Sequence, residues 1–465
     1  MNGPTGPASP PLAVILAAGL GTRMRSRLPK VLHPVCGRPM LAYVLDAARA
    51  ATGRQPLVVY SDATAALRDV FAGEADFVRQ PSPDGTGDAV RVALEAVPAD
   101  VAELVVLNGD IPLVPAVVVE ALVEERRAAQ AVMALVAVDT LEPEGLGRIV
   151  RDEGSGAVRA IVEEKDASEE ELELTEINAG LYAFDVAWLR RRVGDLRPSA
   201  ASGELYLTEL VALARADRRP VASLDLDDDG RLLGINDRIQ LAMAEQDMRN
   251  AVNARHMEAG VTIVDPATAY VEPTVELGQD VVLEPNVVLR GRTRIGEGTR
   301  IGSGSQLLDS VVGRDCVVWA SILESAEVED EVAIGPFSHL RPGASVGRGA
   351  KLGNFAEVKA SRLEAGVQQH HMSYVGDATV GARTNIGAGT VTCNYDGQRK
   401  HRTVIGERAF IGSDTMLVAP VTVGDGARTG AGSVVTHDVP AGRTAVGVPA
   451  RLRPEAADAD AAPAD

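Results

Sequence analysis

The chain has 465 residues, 46% apolar and 24% charged, which excludes a one-domain module and a disordered or fibrous protein. Its 65 acidic and 46 basic side chains give a formal charge of −19, which opposes any large nucleic-acid surface and leaves phosphate binding to local basic pockets. Cys36, Cys316 and Cys393 lie far apart with no CxxC pair, which argues against a disulfide framework or a thiolate zinc cage and fits a reducing cytoplasm.

Residues 1–11 (MNGPTGPASPP) and 454–465 lack apolar periodicity and read as disordered tails. The run LAVILAAGL (12–20) is short for a membrane span and has no basic segment before it, so neither a signal peptide nor membrane insertion is expected. From 12 to 238, aliphatic runs (LAVILAA, PLVVYS, ELVVLNGD, AVMALVAV) alternate with helix-like segments (PMLAYVLDAARAAT, GDAVRVALEAV). That alternation predicts a Rossmann-like α/β domain with a mostly parallel sheet covered on both faces. Residues 239–260 carry helix start and stop signals and read as a linker helix.

Over 261–453 the period changes. Val271, Leu277, Leu283, Leu289, Ile295, Ile301 and Leu307 fall at six-residue steps, and Ile322, Val328, Ile334, Leu340, Val346, Leu352 and Val358 repeat the pattern after a phase break. A hexapeptide repeat is the signature of a parallel β-helix, and three hexads per coil give about ten coils. Low aromatic content, 3%, suits so narrow a core. The segment CNYDGQRKHR interrupts the repeat between Val391 and Val404 and is expected to project as a loop.

Two features of the first domain carry chemistry. In LAVILAAGLGTRMRSRLPK a glycine-rich turn follows a strand and precedes Arg23 and Lys30; its N–H groups suit close approach to phosphate, and the cations suit a pyrophosphate leaving group. The spacing is not that of an ATPase P-loop. The plainer reading is a turn with incidental arginines, but ELVVLNGD places Asp110 at a strand's carboxyl end, where a carboxylate suits Mg²⁺ against a nucleotide phosphate.

The motifs LAAGLGTRM, LPKVL, LNGD, GRIV, IVEEKDA, INAG and GINDRIQLA, in that order, resemble the sugar-phosphate nucleotidyltransferases, and most closely the bacterial bifunctional enzymes of UDP-N-acetylglucosamine synthesis. The resemblance implies that UTP and an amino-sugar 1-phosphate bind the first domain. Leu16, Ala17, Ala18, Gly19 and Lys30 would hold the nucleotide with Asn108 and Gly109, Arg23 the polyphosphate, and Gln80, Gly85 and Thr86 the uracil. Gly147, Glu163 and Asn178 would hold the sugar, and Asp110 and Asn236 the Mg²⁺. The chain departs from the family pattern at Pro83, Asp84, Asp88 and Asn108, so nucleotidyl transfer is better fixed than preference for UTP.

In the second domain HLRPG, GNFAEVKAS, HHMSYVGD, TNIGAGTVTCNYDG and IGSD resemble the family's acetyltransferase half. That implies His371 as general base, and Arg341, Lys359, Tyr374 and Asn385 against glucosamine 1-phosphate. Ala388, Asn394, Tyr395, Ser413 and Ala431 would contact acetyl-CoA. An imidazole suits deprotonation of an amine before it attacks a thioester; His370 has no role. The basic run 398–402 reads as a solvated loop or a contact to coenzyme A phosphates. A family arginine is replaced by Gly447, with Arg443 and Arg451 as candidate substitutes. A homotrimer is also implied. The alternative is a monofunctional sugar-1-phosphate nucleotidyltransferase whose β-helix only regulates or assembles.

Overall fold

The computed structural model describes residues 9–228 and 230–453; the remaining tail residues lie outside them. Continuous aliphatic runs become strands buried on both faces, as parallel sheets require. The main sheet comprises β1 (Leu12–Leu16), β2 (Leu57–Tyr60), β3 (Asp76–Arg79), β4 (Glu103–Asn108), β5 (Met133–Asp139), β6 (Glu176–Asp185) and β7 (Val221–Asp227), in the order β7-β5-β6-β4-β1-β2-β3. Neighbours are parallel except that β6 runs antiparallel to both β4 and β5.

Alternate residues of β1 explain the two helical layers. Ala13 and Ile15 join α1 (Met40–Thr52) and α3 (Ala116–Ala128) in one core, whereas Leu12 and Val14 join α2 (Thr86–Ala96) in the other. Helix α1 ends at Gly53, whose left-handed backbone returns its N–H to Arg49 O at 2.9 Å. Two residues assigned to the N-terminal tail are tied to the domain: Ser9 Oγ donates to Asp100 O at 2.6 Å, and Pro10 O accepts from Arg54.

Helix α4 (Arg238–Glu258) contains the boundary between the two compact units, which falls between Met248 and Arg249. In the first unit Ala244 packs with Val35, Met40 and Ile235. In the second, Arg249 lies over the Tyr270 ring at 4.4 Å and Asn253 Nδ2 donates to Pro266 O and Ala269 O.

The second unit is a left-handed parallel β-helix. Strands of two to four residues stack into three sheets, parallel except for the antiparallel pair that ends one of them, and strands pair with those a coil later, as Leu283 does with Ile301. Most strands point one aliphatic residue inward, each contributing roughly 1.5–3 kcal/mol by burial, whereas Gln369, Thr392 and Thr429 take that place in theirs. Buried corner hydroxyls satisfy the turns' backbone: Thr299 Oγ1 donates to Gly313 O at 2.8 Å and accepts from Cys316 N at 3.0 Å.

Two positions depart from the six-residue reading. Ile322 is 41% exposed and Leu323 takes the inward place, because the steps Val318–Leu323 and Leu323–Val328 each have five residues and both corners of that face are one residue short. Leu277, in the early coils, is only half-buried.

Candidate active sites

In the first unit the chain turns sharply after β1. Ala17 N–H reaches Val59 O at 2.9 Å and Ser61 Oγ donates to Ala18 O at 2.8 Å. Gly21 has φ +59°, and a Cβ there would lie 2.5 Å from Lys30 Cβ, so glycine lets the loop close on Lys30. Lys30 Nζ donates to Asp110 Oδ2 and, at 3.2 Å, to Asn236 Oδ1. Positions 30, 110 and 236 thus meet at one point, at the strand ends where open α/β sheets bind ligands.

Two cavities adjoin that point. The larger, about 430 Å³, is walled by Leu16, Ala17, Ala18 and Gly19 on one side and by Gln80, Gly85 and Thr86 on the other, with Lys30 also lining it. The second, about 340 Å³, is lined by Arg23, Gly147, Glu163, Asn178 and Asn236. Asn108 and Asp110 line both. Gly109 sits behind the wall: its N–H donates to Leu16 O at 2.9 Å, and a Cβ there would crowd Leu16 and Ala17. Of the departures, Pro83 lines the larger cavity and Asp84 O accepts from Leu205 N at 2.8 Å.

Two side chains of the second cavity are held by groups that sequence reading missed. Thr208 Oγ1 donates to Glu163 Oε1 at 3.0 Å, and Asn178 Nδ2 donates to the buried Tyr182 Oη at 2.6 Å. Burial pushes the Glu163 carboxyl above the ordinary carboxylate range; Asp166, Glu204 and Glu209 push the same way, against the Thr208 bond. Thr208 lies in GELYLTE, a segment that matches none of the motifs read from the sequence. No group of three or more His, Cys, Asp or Glu side chains among the described residues is disposed to hold a metal.

In the β-helix the candidate residues occupy two corners of one face. His371, Ala388, Ser413 and Ala431 fall at the same place in successive turns of the first corner. The ladder is explicit: Gly389 N–H bonds His371 O, Asp414 N–H bonds Ala388 O, and Gly432 N–H bonds Ser413 O. At roughly 4.8 Å per coil the column runs about 14 Å. His371 is exposed, with φ +54°, and its ring lies 5.7 Å from that of His370. Burial, then His371 and Lys351, lower the His370 pKa. Asn385 precedes this corner, paired with Gln368 and Phe410.

The second corner carries Arg341 and Lys359 on consecutive coils, with Arg341 N–H on Val358 O and Lys359 level with Gly376. Tyr374 lies across Gly376, where a Cβ would come within 2.3 Å of its Oη. Asn394 Nδ2 donates to Asp377 Oδ2 at 2.5 Å and approaches Tyr374 Oη at 3.4 Å. Within one chain, Asn394 and Tyr395 therefore stand with Arg341 and Lys359, apart from the Ala388 column.

The inserted segment forms a hairpin whose residues 395–400 are exposed, as expected of a solvated loop. Asp396 accepts from the N–H groups of Gln398 and Arg399 at 2.7 Å and pairs with His401 at 2.6 Å; these bonds hold its carboxyl well below the usual range. Tyr395 bridges to Lys400. Lys400 lowers the pKa of Lys359, with Arg341 adding to the effect and Asp377 opposing it, while Arg341 itself pairs with Glu357 at 2.9 Å. Of the two candidate arginines, Arg443 donates to Arg453 O at the start of its strand, whereas Arg451 pairs with Val446 beside Gly447, one turn above Ala431.

A sheet with a glycine-rich turn, a lysine on a strand-end aspartate, and a β-helix of hexapeptide repeats define a nucleotidyltransferase joined to a hexapeptide transferase. Residues 13–174 match the MobA-like NTP transferase domain, and residues 274–309 and 402–437 match the bacterial transferase hexapeptide (six repeats). The chain is 45% identical over 434 residues to the bifunctional protein GlmU of Heliobacterium modesticaldum, covering 93% of this chain and 94% of the relative. It is 43% identical over 448 residues to that of Kineococcus radiotolerans (96% and 91%) and 44% over 441 residues to that of Mycobacterium bovis (93% and 89%). The chain belongs to the bifunctional GlmU family.

Proposed function

We propose that the β-helix transfers acetyl from acetyl-CoA to glucosamine 1-phosphate, and that the α/β unit then transfers uridylyl from UTP to N-acetylglucosamine 1-phosphate, releasing pyrophosphate. The observation that carries this reading is that Lys30, Asp110 and Asn236 meet between two adjoining cavities, one sized for a nucleotide and one for a sugar phosphate. The sugar phosphate attacks the α-phosphorus in line, and the new P–O bond replaces the bond to the leaving pyrophosphate. Arg23 and Lys30 offset the charge that gathers there, and positioning supplies much of the rate.

The residues present fit Mg²⁺. The Lys30 ammonium already lies between oxygens of Asp110 and Asn236, so a carboxylate and an amide oxygen converge on one cation. Mg²⁺ characteristically takes one or two such protein ligands and completes its shell with water and phosphate. When bound, it would neutralise the polyphosphate and orient it.

For acetyl transfer, Arg341, Lys359 and Lys400 hold the phosphate and the column above His371 carries coenzyme A. His371 takes a proton from the amine, nitrogen forms the amide bond, and the C–S bond breaks to release the coenzyme A thiolate. Direct attack is supported at Cys393, where burial pushes the thiol pKa up, away from a nucleophilic thiolate. Arg451 is the better placed substitute for the arginine missing at Gly447. A β-helix serving only as scaffold has no use for two facing ammonium groups, Lys359 and Lys400.

The two corners lie at opposite ends of a face about 10 Å wide, so a neighbouring copy would complete the acetyl site. The exposed Phe337 and Phe355, stacked at 5.4 Å, and the exposed Met372 at the first corner support assembly; a homotrimer is our reading. None of Cys36, Cys316 and Cys393 is in a disulfide, which supports a cytoplasmic location. No helix among the described residues is long and apolar enough to cross a membrane. The test is twofold: pyrophosphate release from UTP, Mg²⁺ and N-acetylglucosamine 1-phosphate, and free thiol release from acetyl-CoA with glucosamine 1-phosphate. Silence in either removes that half of the reading.

A further inference from the structure

Gln80, just past β3, is 2% exposed, yet it lines the larger cavity. Its amide nitrogen donates to Asp88 Oδ2 at 2.8 Å and to Gly85 O at 3.3 Å. A carboxylate and a carbonyl accept, so hydrogen-bond chemistry decides which end of the amide faces them. The amide oxygen is thereby left for the cavity, and among the described residues no group donates to it. Asp88 is held in turn. It is 4% exposed on the first turn of α2, and Arg91, one turn later, bonds its other oxygen through Nη2 and through Nε at 3.1 Å. Gly85, on the same cavity wall, is the N-cap of α2 and brings an N–H that the helix does not use.

We propose that Asp88, anchored by Arg91, is a positioning residue for base choice: it locks the Gln80 amide so that the pocket offers an acceptor beside a donor, matching the imide edge of uracil and opposing cytosine. This rests on reading the unit as a uridylyltransferase. Uracil presents N3–H beside C4=O. Cytosine presents a bare N3 beside an amino group, so the Gln80 oxygen meets a lone pair and the Gly85 N–H meets another N–H. Leaving buried polar groups of a site unpaired in this way is what gives hydrogen-bonding pockets their discrimination. An amide free to turn by 180° loses that discrimination at Gln80.

The experiment compares kcat/KM for pyrophosphate release from UTP and from CTP, using the full chain with Mg²⁺ and N-acetylglucosamine 1-phosphate. The wild type should favour UTP by about a hundredfold or more. Asp88→Asn preserves shape but offers both an oxygen and an NH₂, so the ratio should fall at least tenfold, with the CTP value rising. In a Gln80→Ala background the same substitution should change the ratio no further, a coupling that a merely structural role would not produce. Arg91→Gln, on a partly exposed side chain, should lower the ratio less and decides the matter if Asp88→Asn does not fold. A wild-type ratio near one overturns the proposal while leaving nucleotidyl transfer standing. An unchanged ratio in Asp88→Asn, or in Arg91→Gln where it must stand in, overturns it in the same way, as does an equal effect with and without Gln80. A wild type that releases no pyrophosphate from any nucleotide defeats the underlying reading, and this proposal with it.

Discussion

The two units build their candidate sites in opposite ways. In the α/β unit, groups from residues 16–30, 80–86, 108–110, 163–178 and 236 come together because strand ends and helix starts gather at one edge of a sheet, and one chain encloses two cavities. In the β-helix, equivalent positions recur once per coil and stack into columns, so His371, Ala388, Ser413 and Ala431 form a row along a corner instead of enclosing a cavity. Aperiodic connections can wrap around a ligand; a periodic solenoid presents extended surfaces along which a ligand or another copy lies.

That contrast predicts separable reactions. The largest effect is expected at the convergence point: Asp110→Asn should cut uridylyl transfer about a thousandfold, because charge stabilisation of a polyphosphate is lost in an enclosed site, while acetyl transfer by the same preparation stays within twofold. His371→Ala should do the reverse, lowering acetyl transfer by about a hundredfold or somewhat more and sparing uridylyl transfer. Cys393→Ala should stay near wild type in both assays. If instead Cys393→Ala abolishes acetylation and His371→Ala does not, the direct-attack assignment is wrong.

Periodicity and local order explain how much of this was legible in the sequence. The β-helix follows from its six-residue aliphatic steps, since a narrow prism admits one inward side chain per strand; Ile322, where both corners shorten, and the half-buried Leu277 depart from that reading. Gly19, Lys30 and Asp110 were legible because a glycine turn after a strand and a carboxylate at a strand end are local patterns. Thr208, Tyr182 and Asp88 were not, because each acts by holding another side chain, and such pairings are set by the packing of distant segments. The run 398–402 is mostly exposed, as expected, but nothing local shows that the inserted hairpin brings Lys400 to Lys359.

If the open columns are completed by a second copy, a change at the first corner should affect one reaction alone. Phe355→Glu places a charge on an exposed ring stacked on Phe337. In the monomer it costs little, because the position already faces solvent. In an assembly it would bury a charge without a partner. Sedimentation should show a shift from three copies of the 48.7 kDa chain toward one. Acetyl transfer should fall at least tenfold and uridylyl transfer less than twofold. A variant that remains trimeric and fully active in acetylation would separate this corner from the assembly.

The smallest effect concerns the enclosed site, where burial and neighbouring carboxylates raise the Glu163 pKa. A carboxylate there accepts hydrogen bonds from sugar hydroxyls more strongly than the neutral acid does. As pH falls, Glu163 protonates earlier than an ordinary carboxyl, so KM for N-acetylglucosamine 1-phosphate should begin to rise above pH 4.5, the ordinary value for this side chain. Glu163→Gln should raise KM about tenfold at neutral pH, the scale of one lost charged hydrogen bond, and flatten that acid limb. Stability should move the other way. Because the folded state holds the proton to higher pH than the unfolded chain does, the carboxyl costs stability as pH rises from its unfolded value through its folded one. Glu163→Gln removes that cost, so at neutral pH it should unfold no earlier than the wild type despite its weaker substrate binding; an acid limb unchanged by the substitution would assign the limb to another group.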